Sequence, residues 1–126
     1  MSNYIDDMIC SLADKLMNDG NSVVTYKGLE FRFQEVVYAN PFDFSSTTMI
    51  NIILPYYIVK GHTDLSCGVS YDSTYPKDSR TSYLNRTKAC MQLARQFVTE
   101  VLPKVDYSLK KEVYNHEIDE ILEVLE

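Results

Sequence analysis

Apolar residues recur at helical spacing near the start of the chain. Ile5, Met8, Ile9, Leu12, Ala13 and Leu16 fall on one stripe, which predicts an amphipathic helix over residues 3–19. Asn3 stands where an N-cap belongs, and Asp6 and Asp7 occupy the first turn, where the positive end of the helix dipole favours acids. Gly20 stands at the expected C′ position. The period then switches to two. Residues 22–38 read as a β-hairpin turning at Lys27-Gly28, with Leu29, Phe31 and Phe33 alternating with Glu30, Arg32 and Gln34. Residues 39–46, around Asn40-Pro41 and Ser45-Ser46, read as a loop.

A long strand is predicted over residues 47–59, apolar on both alternate sets: Ile50, Ile52, Leu54, Tyr56 and Ile58 on one, Met49, Ile53, Tyr57 and Val59 on the other. A strand of that kind is expected to be covered on both faces. Pro55 cannot donate a ladder hydrogen bond and marks an edge or a bulge. After Lys60-Gly61, the alternation of Leu65, Cys67, Val69 and Tyr71 predicts a fourth strand. A polar loop at 72–80 leads to a helix over 81–102, opened by Thr81 or Ser82 and closed by Pro103. Its apolar face runs through Leu84, Thr87, Cys90, Met91, Ala94, Phe97, Val98 and Val101. A last helix is capped by Asp106 or Ser108, with Tyr114, Ile118, Ile121 and Leu125 at 4-3-4 spacing.

The predicted order is α-β-β-β-β-α-α. Sequential strands on short turns imply an α+β fold, a four-stranded antiparallel sheet with helices packed on it, in a single domain spanning 1–126. This order, the acidic balance and the size resemble, in architecture, the small chaperones of bacterial secretion systems.

Composition changes the picture only in part. A hydrophobic fraction of 45% over 126 residues is ordinary globular composition. No stretch approaches the roughly 20 apolar residues of a membrane helix, and the first residues lack a basic and apolar leader, so a cytoplasmic protein is expected. Three scattered cysteines, Cys10, Cys67 and Cys90, read as reduced thiols. Net charge is −6, which disfavours nucleic acid as a partner because phosphate binding needs local cation excess. The exception is the run from Lys77 to Arg95, which is basic.

Within that run lies the most ligand-like segment, 71–86. Tyr75, Lys77, Arg80, Tyr83 and Arg86 interleave aromatic faces, which can stack a base, with cations, which can grip phosphate. The same residues also suit a polar loop whose tyrosines pack on the sheet edge. His62, Asp64 and Cys67 look like a nucleophile set, but in a strand His62 and Asp64 share one face and Cys67 takes the other. Neither paired Cys/His spacing for a metal nor a glycine-rich phosphate loop is present. No catalytic residue, metal or cofactor is therefore expected.

The sequence accordingly predicts a non-enzymatic binding protein that engages another protein, of the inhibitor or chaperone-like type found among phage or bacterial accessory proteins. It also predicts a homodimer, with an interface drawn from Ile53, Tyr57 and Val59 or from Tyr114, Ile118, Ile121 and Leu125. The alternative is a small-molecule binder that captures a nucleotide through 71–86.

Overall fold

The first helix, α1, spans Tyr4–Asn18 in the computed structural model, which describes residues 4–53, 67–107 and 109. Ile9, Leu12, Ala13 and Leu16 are its buried face, as the stripe requires. Its C-terminus is closed differently from the expectation. Gly20 does not adopt the left-handed conformation, which among the described residues occurs only at Lys27 and Gly28. Gly20 is small for another reason: a Cβ there would lie 2.5 Å from Glu35 Oε2. The last carbonyls of α1 are satisfied from outside the helix. Arg86 donates to Leu16 O at 3.1 Å and to Met17 O at 3.3 Å. A cation at this end also meets the negative pole of the helix dipole.

Strands β1 (Val23–Tyr26) and β2 (Leu29–Ala39) form the predicted hairpin. Lys27 and Gly28 both have positive φ, 50° and 79°, the signature of a type I′ turn. Lysine is uncommon in that region, and it is tethered here: Lys27 Nζ lies 2.6 Å from Asp106 Oδ1. β3 (Ser46–Ile53) and β4 (Gly68–Asp72) complete an antiparallel sheet in the order β1-β2-β3-β4. The register pairs Phe33 with Ile52 and Ile50 with Val69, so the predicted apolar sets of three strands share one face. That face is the floor of the core, together with Leu29 and Phe31.

The opposite face is mixed. Ile53 stands 49% exposed opposite Arg32, and Met49 is half-buried. Within Ser46–Ile53 the strand is therefore covered on one face by the described residues, against the expectation of two. Leu54, Pro55, Tyr57 and Val59 lie outside the described residues.

The second helix, α2, spans Arg80–Gln96. Its N-cap is Ser79, two residues before the expected Thr81: Ser79 is extended, and its Oγ accepts from Ser82 N at 3.2 Å. Leu84, placed on the apolar face by its spacing, is exposed, whereas Ala89 and Leu93 are buried. The helix also does not stop at Pro103. It passes through a π turn, Phe97–Val101, and stays helical over 102–107. Proline in a helix removes one N–H and pushes its ring against the carbonyl four residues back, here Thr99. The wider π turn lies at that point, with Leu102 N–H reaching Phe97 O five residues back, and it relieves the conflict. Asp106 thus sits inside a helix instead of opening one. Its carboxylate accepts from Tyr26 OH at 2.9 Å and from Lys27 Nζ, locking this helix to the hairpin turn. Tyr114, Ile118, Ile121 and Leu125 lie outside the described residues. Among the described helices, none is long and apolar enough to cross a membrane.

Candidate functional site

The segment 71–86 splits into an inner and an outer part. Arg86 points inward. Its Nη1 donates to Glu35 Oε1 at 2.5 Å and to Tyr71 OH at 2.8 Å, and its other nitrogens hold the end of α1. Burial works against the Arg86 charge, but the hydrogen bonds to Glu35 and Tyr71 outweigh it and raise the pKa above the ordinary value. Arg86 thereby ties together α1, β2, β4 and α2. Tyr75, Lys77, Arg80 and Tyr83 remain on the surface.

The thiols occupy three environments. Cys10 is exposed, Cys67 is half-buried and Cys90 is buried. Burial, assisted by the Glu100 charge, pushes the Cys67 thiol up to about 12. Burial likewise raises Cys90, against the opposing pull of the Arg86 charge. Thiols held in the protonated form are poor nucleophiles. His62 and Asp64 lie outside the described residues. Among the described residues, no group of three His, Cys, Asp or Glu side chains could hold a metal ion. A disulfide reagent at neutral pH is expected to modify Cys10 rapidly and Cys67 and Cys90 only slowly. Cys10→Ser should abolish the fast phase, and a fast phase surviving that change would contradict the assigned environments.

The most unusual surface is the tip of the β2–β3 hairpin, residues 40–45. Phe42 and Phe44 are 95% and 100% exposed. At the base of the tip, Val37 and Tyr38 are 61% and 54% exposed. The tip backbone is nevertheless closely bonded. Asn40 N donates to Ser45 O, Phe42 N to Asn40 Oδ1, and Ser45 N to Asp43 Oδ1 at 2.7 Å. These asparagine and aspartate turns are what an Asn-Pro-x-Asp-x-Ser stretch is suited to make. Hydrogen bonds from the Ser45 hydroxyl and backbone N–H hold the Asp43 carboxyl below the usual carboxylate range, so it is an anion between two bare rings. The loop after β4 buttresses the tip: Ser46 N donates to Thr74 Oγ1 and Ser73 N to Ser46 O. Tyr75, Lys77 and Arg80 follow directly, so part of the 71–86 segment adjoins the tip.

Sequence reasoning passed over Phe42 and Phe44 as loop residues. The available signal was two phenylalanines in a run otherwise made of turn formers, with no alternation to bury them.

A second feature is a groove of about 370 Å³ between α1, β1 and the π turn. Met8, Leu12, Val24, Phe97 and Leu102 line it, together with Lys15 and Asp7. The groove is largely apolar, with few convergent polar groups. Comparison with protein-family models, with curated proteins and with solved structures finds no match to this chain.

Proposed function

We propose that this is a protein-binding domain without a catalytic role, and that the β2–β3 tip is its docking element. The observation that supports this is the pair Phe42 and Phe44, bare to solvent on a backbone closed by its own hydrogen bonds. Contiguous exposed apolar surface marks interaction sites. Burying a phenylalanine side chain contributes about 1.5–3 kcal/mol. A loop already ordered loses little further entropy on docking. A protein pocket suits the tip better than a lipid surface, because Asp43 would have to enter the bilayer between the two rings, at high cost. The nucleotide reading of 71–86 has less support, since Arg86 is engaged by Glu35 and Tyr71.

Photo-crosslinking tests the reading. A photoreactive residue at position 42, and at exposed Thr99 as control, is introduced into the full chain. Position 42 is expected to give discrete adducts that Thr99 does not, and Phe44→Ser in the same chain should diminish them. Phe42→Ser/Phe44→Ser should melt with the wild type, because neither ring is packed. Adduct patterns identical at both positions, or none at 42, would refute the docking role.

A further inference from the structure

The outward face of α2 carries charge of one sign. Its 17 residues include Arg80, Arg86, Lys88 and Arg95 and neither aspartate nor glutamate, in a chain whose net charge is −6. Arg86 turns inward to Glu35. Arg80, Lys88 and Arg95 are exposed, and among the described residues none of them pairs with a carboxylate. At about 100° per residue, Arg80, Leu84, Lys88, Met91 and Arg95 fall within about 80° of one another around the helix. Leu84 is 47% exposed, and Met91 is half-buried at the margin of this face.

This arrangement works against the helix itself. A surface helix is ordinarily steadied by acids three or four residues from its cations, and none of the three cations has one. Arg80 also opens the first turn, where the positive end of the dipole disfavours a cation. A face that breaks local charge rules along its whole length has the mark of a functional site.

The spacing selects the occupant. Leu84, Lys88, Met91 and Arg95 are four, three and four residues apart, the seam by which one helix pairs with another. Apolar and cationic positions alternate along it. Lys88 and Arg95 stand one heptad apart, about 10.5 Å along the axis, and carboxylates one heptad apart on a facing helix recur at the same interval. Leu84 and Met91, also one heptad apart, call for apolar partners between those carboxylates. A nucleic-acid strand carries a charge about every 3.4 Å and leaves most of its phosphates and both apolar side chains unmet here. An anionic membrane surface calls for about four to eight clustered cations, and the net negative charge of the chain opposes it.

We propose that this face docks an acidic amphipathic helix of a partner protein, its carboxylates meeting Arg80, Lys88 and Arg95 and its apolar seam meeting Leu84 and Met91. The face is separate from the β2–β3 tip, and its occupancy does not depend on the tip.

Fluorescence anisotropy on the full chain tests this with labelled probes: a helical peptide with leucine at its seam positions and glutamate beside them, the same peptide with glutamine for each glutamate, and a single-stranded oligonucleotide. The glutamate peptide is expected to bind, more weakly as salt rises, and the other two at least several-fold less tightly. Lys88→Glu/Arg95→Glu should weaken binding roughly tenfold or more, since repulsion replaces attraction, and Leu84→Ser should weaken it several-fold. Both variants should melt with the wild type, because the altered side chains are exposed. Arg32→Glu, the same reversal on the far face of the sheet, should leave binding unchanged. No binding of the glutamate peptide, equal or tighter binding of either other probe, or indifference to Lys88→Glu/Arg95→Glu would each overturn the proposal. Equal weakening by Arg32→Glu would also overturn it, since overall charge and not this face would then draw the peptide.

Discussion

An Arg86→Ala protein is expected to melt roughly 10–15 °C below the wild type, from a loss of about 3–4 kcal/mol. Breaking a buried ion pair by removing one partner costs about 3–5 kcal/mol. Arg86 and Glu35 keep 22% and 21% of their side-chain exposure, which puts this pair toward the lower end. The change also strips the Leu16 and Met17 carbonyls of their donors and Tyr71 of its partner. Against a typical total of about 5–15 kcal/mol, this is a large fraction. Arg86→Lys should recover only part of the loss, since one ammonium cannot reproduce a fork that reaches four acceptors. Thermal and denaturant melts of both variants check the expectation. Equal stability of the lysine variant and the wild type would show that charge alone matters and the fork does not.

Phe97→Ala is expected to be similarly damaging, at about 3–5 kcal/mol. Phe97 is 1% exposed and packs edge-on against Phe31 at 5.3 Å and Phe33 at 5.4 Å between centroids. Each such edge contact adds about 0.5–1.5 kcal/mol beyond area burial. The ring joins the π turn to the middle of the sheet, and alanine leaves a cavity that flanking backbone, already held by Leu102, cannot easily fill. Denaturant unfolding measures the loss. A value below about 1 kcal/mol would mean that the π turn relaxes into the vacated space.

The elements whose residues repeat a local rule were legible in the chain. The stripe Ile9, Leu12, Ala13 and Leu16 and the alternation Leu29, Phe31 and Phe33 each report burial directly, and the order of β1, β2 and β3 followed from the short connections between them. What was missed depends on partners distant in sequence. Arg86 looked like a phosphate ligand because its true acceptors, Glu35 and the end of α1, lie 51 to 70 residues away. Gly20 looked like a left-handed cap because the Glu35 side chain beside it is invisible to local reading. Pro103 looked like a terminator because proline rules assume an α-helix upstream. At the tip, turn composition correctly gave the loop but is silent on where Phe42 and Phe44 point.

The π turn has a bearing on how the groove could persist in descent. In an α-helix, residues five apart stand about 140° apart around the axis. The π turn brings Phe97 and Leu102 into line instead, and both line the groove. A π turn is equivalent to one extra residue in a regular helix. Dropping a single codon near the exposed Thr99 would restore regular winding and leave Leu102 four positions from Phe97, about 40° away around the axis, so both would still face the groove. The extra residue is thus taken up by the π turn itself, and the groove wall formed by Phe97 and Leu102 is a trait that outlasts its insertion or loss.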